Sequence, residues 1–214
     1  MNVEWVEILA ANGVLALGSV LQAATGLGAG LVVVPLLALI SLEFVPGPVI
    51  LAALALAWLM AWQGRTVISY TGMPLLLGGL LFGMILGTSV LSQVSLDRLG
   101  VLFGVLILLA ISVSVFGLRV RLTPATISVA GALSGFMGAT SAIGAPVLAL
   151  LYQHQTGPVL RATLGLLYFV SSIIMLSLLH LAGRFGNNEL ILGLVLMPGV
   201  LVGYLVAGYL SPVS

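Results

Sequence analysis

All eleven charged residues of this 214-residue chain stand at the edges of apolar runs. Between them lie charge-free stretches at 8–42, 44–64, 66–96, 99–118, 122–160, 162–183 and 190–214. Each is long enough to cross a hydrocarbon core, which takes roughly 20 helical residues. Only 5% of residues are charged, whereas a soluble domain approaches a quarter. Transmembrane β-strands would alternate with period two in segments of about 10 residues, and that pattern is missing. The sequence therefore predicts an all-α, polytopic helical membrane protein.

Absent residue types narrow the chemistry. Without cysteine there are no disulfides, thiolate nucleophiles or Cys-ligated metals. The six cations are all arginines, and a net charge of +1 offers no basic patch for nucleic acid. Glu4 and Glu7 occupy the region where a secretory signal would be positive, so the first apolar segment is expected to stay in the mature protein.

Helical segments are expected near 5–24, 28–42, 48–63, 72–92, 98–117, 123–140, 144–154, 158–182 and 189–211, joined by short connections. A glycine-broken motif occurs twice: GSVLQAATGLGAGLV at 18–32 and SGFMGATSAIGAPVL at 134–148. A shift of 116 sets Ala23 on Ala139, Thr25 on Ser141, Gly28 on Gly144 and Ala29 on Ala145. In the same order, 46–58 matches 156–168 through Gly47/Gly157 and Pro48/Pro158. LFGMILG at 81–87 matches 196–203 with Gly83 on Gly199 and Gly87 on Gly203. Residues 1–96 and 121–214 thus read as two repeats, and 97–120 as a linking helix. An odd number of crossings between repeat starts would make the halves inverted, a plan common in secondary transporters. Cytoplasmic loops are enriched in arginine. Arg65, Arg119, Arg121 and Arg161 collect on one side, against Arg98 and Arg184 on the other. That bias puts the N-terminus outside and the C-terminus in the cytoplasm of an inner-membrane, multi-pass protein.

The runs 8–42 and 122–160 exceed one span and fall short of two with a loop. They can be full spans joined at the surface, or re-entrant or broken helices whose tips stop inside the bilayer. Backbone is tolerated at that depth only against protein or a water-filled cavity. In the buried arrangement two helix N-termini, near Gly28 and Gly144, face one meeting point. Helix N-termini attract anions. The site expected there comprises Gln22, Thr25, Gly26, Gly28, Ala29, Gly30, Thr140, Ser141, Gly144 and Ala145, with small residues admitting close approach and hydroxyls and an amide as donors. Arg161 is either a snorkelling anchor or a lure for the anion.

TGLGAGLVVVPLL (25–37), GFMGATSAIGAPVL (135–148) and Gly157-Pro158 followed by Arg161-Ala162-Thr163 resemble the motifs of the sulfite exporter TauE/SafE family. The resemblance covers nearly the whole chain and implies transport of small sulfur-containing anions, such as sulfite, sulfonates or sulfoacetate, across the cell membrane. Ala29, Ala142 and Ala145 depart from it, standing where the family often shows glycine.

An intramembrane enzyme would need a nucleophile with its base, or paired carboxylates. The five acids lie at membrane edges, and neither His154 nor His180 has a plausible Asp beside it, so no enzyme is expected. No cofactor or metal is called for. The expected partners are the anion and the bilayer, with homo-oligomerisation left open. A proton-coupled importer, with His180 as the candidate proton carrier, a channel and a non-transporting assembly protein remain the alternatives.

Overall fold

The computed structural model describes residues 3–26, 29–115, 123–152 and 155–210. Among these, every regular element is helical: α1 (Trp5–Thr25), α2 (Gly30–Ile40), a 3-10 turn (Leu42–Phe44), α3 (Gly47–Gln63), α4 (Met73–Gln93), α5 (Leu96–Val115), α6 (Pro124–Ser141), α7 (Ala145–Tyr152), α8 (Gly157–Leu181) and α9 (Asn187–Leu210). All nine expected helices are present, with ends within two residues of those read from the sequence. Gly28, Arg119, Arg121, Gln153 and His154 lie outside the described residues.

Local chemistry explains the helix starts. Proline occupies the first turn of α3, α4, α6 and α8, where its missing N–H costs nothing. Thr123 caps α6, its hydroxyl accepting the Thr126 N–H at 3.2 Å. At the start of α1 the Glu7 carboxylate accepts the Glu4 N–H at 2.9 Å.

Among the described residues α1, α4, α8 and α9 are long and apolar enough to cross a membrane. With 11 and 8 residues, α2 and α7 reach only ~16 Å and ~12 Å, about half a hydrocarbon core or less. The glycine-broken runs are therefore neither two full spans nor two equal half-spans. Each is a long limb followed by a short one.

Helix contacts set the architecture. Two apolar faces in lipid gain little by meeting, so close backbone approach at small residues has to supply the attraction. A β-carbon at Gly79 or Gly83 would overlap the carbonyls of Ser128 and Ala132, so α4 lies parallel and tight against α6. Gly199 and Gly203 of α9 meet the carbonyls of Asn12 and Ala16 on α1 in the same way. Asn12 and Ser128 are 116 apart, as are Ala16 and Ala132. By these contacts Gly79 corresponds to Gly199 and Gly83 to Gly203, one helical turn away from the pairing that sequence alone favours. Antiparallel α3 and α8 form the middle, joined at Gly64/Ala162, at Met60/Gly165 and by Trp58 on Phe169 with ring centres 5.0 Å apart.

The two ends of the bundle differ in charge. Arg65 and Arg161 share one end, since Gly64 abuts Ala162. There the Arg65 guanidinium lies 4.7 Å from the Trp62 ring centre. At the other end Gly47 faces Phe185 and Glu189. Arg184 of that end donates to the Val94 carbonyl at 2.6 Å, capping the last turn of α4. His180 is exposed there, its Nδ1 2.9 Å from the Phe185 carbonyl oxygen.

Candidate functional site

Both long limbs end in the same way. Gly26 stops α1 in the left-handed region (φ 75°), its N–H donating to the Gln22 carbonyl at 2.7 Å. Ala142 stops α6 likewise (φ 60°), its N–H donating to the Gly138 carbonyl at 2.8 Å. Gly26 and Ala142 are 116 apart, and so are Gln22 and Gly138. Left-handed backbone is strain-free for glycine and costs alanine roughly 1–2 kcal/mol.

The short limbs fold back along the long ones. Ala29 at the head of α2 packs beside Gly18, and the Ser134 hydroxyl donates to the Gly144 carbonyl at 2.7 Å beside the head of α7. Gly18 and Ser134, once more 116 apart, each lie two turns before the end of their limb. The breaks touch: a β-carbon on Gly30 would come 3.4 Å from the Ala142 carbonyl oxygen. Two helix N-termini thus converge, although the Val32 N–H of α2 already donates to the Ala29 carbonyl at 2.9 Å and Pro146 in the first turn of α7 has no N–H.

A cavity of about 130 Å³ lies at this convergence. That is room for several waters, one of which needs only about 10–15 Å³ by the same measure. Its apolar walls include Leu15, Val33, Val34, Leu56, Leu80 and Met84. Its polar side chains are Ser19, Gln22, Ser134, Tyr168, Ser171 and Ser172, and none of the lining residues is charged. Gln22 uses its Oε1 to accept the Ala29 N–H at 3.4 Å, a contact that leaves the NH2 donors of the amide uncommitted. The Tyr168 hydroxyl and the Ser171 Oγ are buried with no hydrogen-bond partner in the protein. A buried hydroxyl without a partner costs about 1–3 kcal/mol, and both of these belong to residues that line the cavity.

Of the residues expected from sequence, Gln22, Ala29, Gly30, Gly144 and Ala145 line this cavity together. Others are committed elsewhere. Thr25 is exposed and its Oγ1 donates to the Leu21 carbonyl at 2.7 Å. The fully buried Thr140 and Ser141 donate to the carbonyls of Phe136 and Met137, at 2.7 and 2.8 Å. Arg161 lays its stem against Gly26 and donates from Nη1 to the Ala24 carbonyl at 3.1 Å, closing the C-terminal end of α1. Sequence reasoning passed over Tyr168, Ser171 and Ser172. Their i, i+3, i+4 spacing on α8 was the available signal, repeated on α1 by Ser19 and Gln22.

The sequence profile of the family described as "Sulfite exporter TauE/SafE" matches residues 11–213. The chain belongs to the sulfite exporter TauE/SafE family. It is accordingly a multi-pass membrane protein of a transporter family, and the match takes in every helix that contributes to the cavity. Neither a curated protein nor a solved structure matches the chain.

Proposed function

We propose that this TauE/SafE protein carries a small sulfur-containing oxyanion, of the sulfite or sulfonate kind, out of the cell through the cavity between the two breaks. One observation carries the reading: two helix N-termini converge on a cavity none of whose lining side chains is charged. The first-turn N–H groups of α2 and α7 would receive the anion, and Gln22 would add its amide donors. The agreement of left-handed caps, fold-back positions and glycine contacts at a spacing of 116 supports a duplicated, inverted pair of repeats. Alternating access would then follow from one hairpin rocking against the other.

The arginine-bearing end, with Arg65 and Arg161, would face the cytoplasm. Export of one negative charge then runs down the membrane potential, gaining about 2.3 kcal/mol per 100 mV. The cavity lining contains neither carboxylate nor histidine, and His180 is engaged with Phe185 at the other end. That favours transport without a coupling proton. Proteoliposome flux of labelled sulfite under an imposed potential tests this. Saturable efflux that rises with the potential is expected, whereas a strict requirement for an inward proton or sodium gradient would refute export driven by potential alone.

A further inference from the structure

We propose that the Tyr168 and Ser171 hydroxyls are the side-chain donors that hold the oxyanion, and that the site accepts one negative charge and rejects two, which admits hydrogensulfite and simple sulfonates and excludes the doubly charged sulfoacetate. The proposal rests on the anion-carrier reading and adds its donors and its charge rule.

Tyr168 and Ser171 line the cavity from one face of α8, three residues apart, and their buried hydroxyls have no partner in the protein. Ser171 is only 7% exposed, so no bulk water satisfies it. The Ser134 hydroxyl, by contrast, already serves the Gly144 carbonyl. Hydroxyls can donate to an oxyanion and bring no charge of their own.

The positive potential in the cavity comes from the backbone. Each helix N-terminus is equivalent to roughly +0.5 elementary charge, so the pair at Gly30 and Ala145 supplies about +1. None of the lining side chains adds to that. One negative charge is balanced. A second would be buried without compensation, and the cost of taking an ion out of water rises with the square of its charge. Apolar walls on the remaining sides make the penalty worse for a dianion and harmless for a substituent such as a methyl group.

Methanesulfonate and sulfate separate the two cases, being tetrahedral ions of similar size that carry one and two charges; dimethyl sulfone is the uncharged control. Calorimetry on the purified wild-type protein should give binding of methanesulfonate at least about tenfold tighter than sulfate, and none for the sulfone. Tyr168→Phe and Ser171→Ala should each weaken methanesulfonate binding about tenfold or more. Thermal unfolding of the unliganded variants should be unchanged or raised, because each substitution removes a buried group that lacks a partner. Equal binding of methanesulfonate and sulfate, or binding of neither, overturns the charge rule. Unchanged methanesulfonate affinity in both variants overturns the donor assignment. Flux measured in parallel keeps the readings apart: tight, charge-selective binding with no saturable flux would sustain this proposal and sink the carrier reading.

Discussion

Ala142 carries strain that its counterpart avoids. Both it and Gly26 sit in the left-handed region as helix caps, but only Ala142 has a β-carbon to crowd the following carbonyl. Ala142→Gly should raise unfolding stability by about 1 kcal/mol, read from thermal or denaturant melts in detergent. A melt unchanged or lowered would mean that the methyl group's packing outweighs the strain. Arg161 makes the converse case, since its role is one of position. In Arg161→Met the stem still covers Gly26 while the bond to the Ala24 carbonyl and the charge at the end of α1 are lost. A loss of about 1 kcal/mol is expected, measured in the same melts. Thr140 and Ser141 show why hydroxyls near a break mislead. At the end of a helix buried in apolar surroundings, the nearest acceptor is the carbonyl one turn back, and both take it.

At the scale of elements, the glycines divide by what faces them. Gly83 has the Ala132 backbone against it, so Gly83→Leu must push α4 off α6 and should cost about 3 kcal/mol or prevent folding. Gly13 of α1 has nothing within 4 Å of its would-be β-carbon, so Gly13→Ala should stabilise by about 0.5 kcal/mol through helix propensity. Melting both variants beside wild type checks the pair, and similar shifts in the two would show that packing does not distinguish them. The short limbs are a different matter. Helices as short as α2 and α7 are not stable alone and persist here because their long partners hold them. Their heads are consequently set by neighbours, Gly18 and Gln22 for α2, Ser134 for α7.

At the scale of the molecule the sidedness is directly testable, because the chain has no native cysteine to interfere. Thr66→Cys, at the Arg65 end, should react with an impermeant maleimide only when the cytoplasmic face is opened. Asn188→Cys, at the Arg184 end, should react in intact cells. Both positions are exposed, so a reversed labelling pattern would invert the orientation and turn potential-driven export into import.

Helix number, helix ends and the two breaks were legible in the sequence, because charge placement and hydropathy dictate spans and glycine marks where a helix stops. The proposed repeat rests on Gly and Pro positions, which survive whatever fills the lipid face. Which hydroxyls beside the cavity stay without a partner was not legible. A serine in an apolar helix can bond its own backbone or turn to a neighbour, and only the rotation of α8 against α1 and α3 decides between them. That rotation turned Tyr168 and Ser171 inward, left Thr140 and Ser141 on their own helix, and drew Arg161 to the carbonyl end of α1. The sequence thus determined that two helix N-termini would be broken into the bundle. Tertiary packing decided that they meet, and which side chains share the space between them, because contacts between helices depend on register and not on composition.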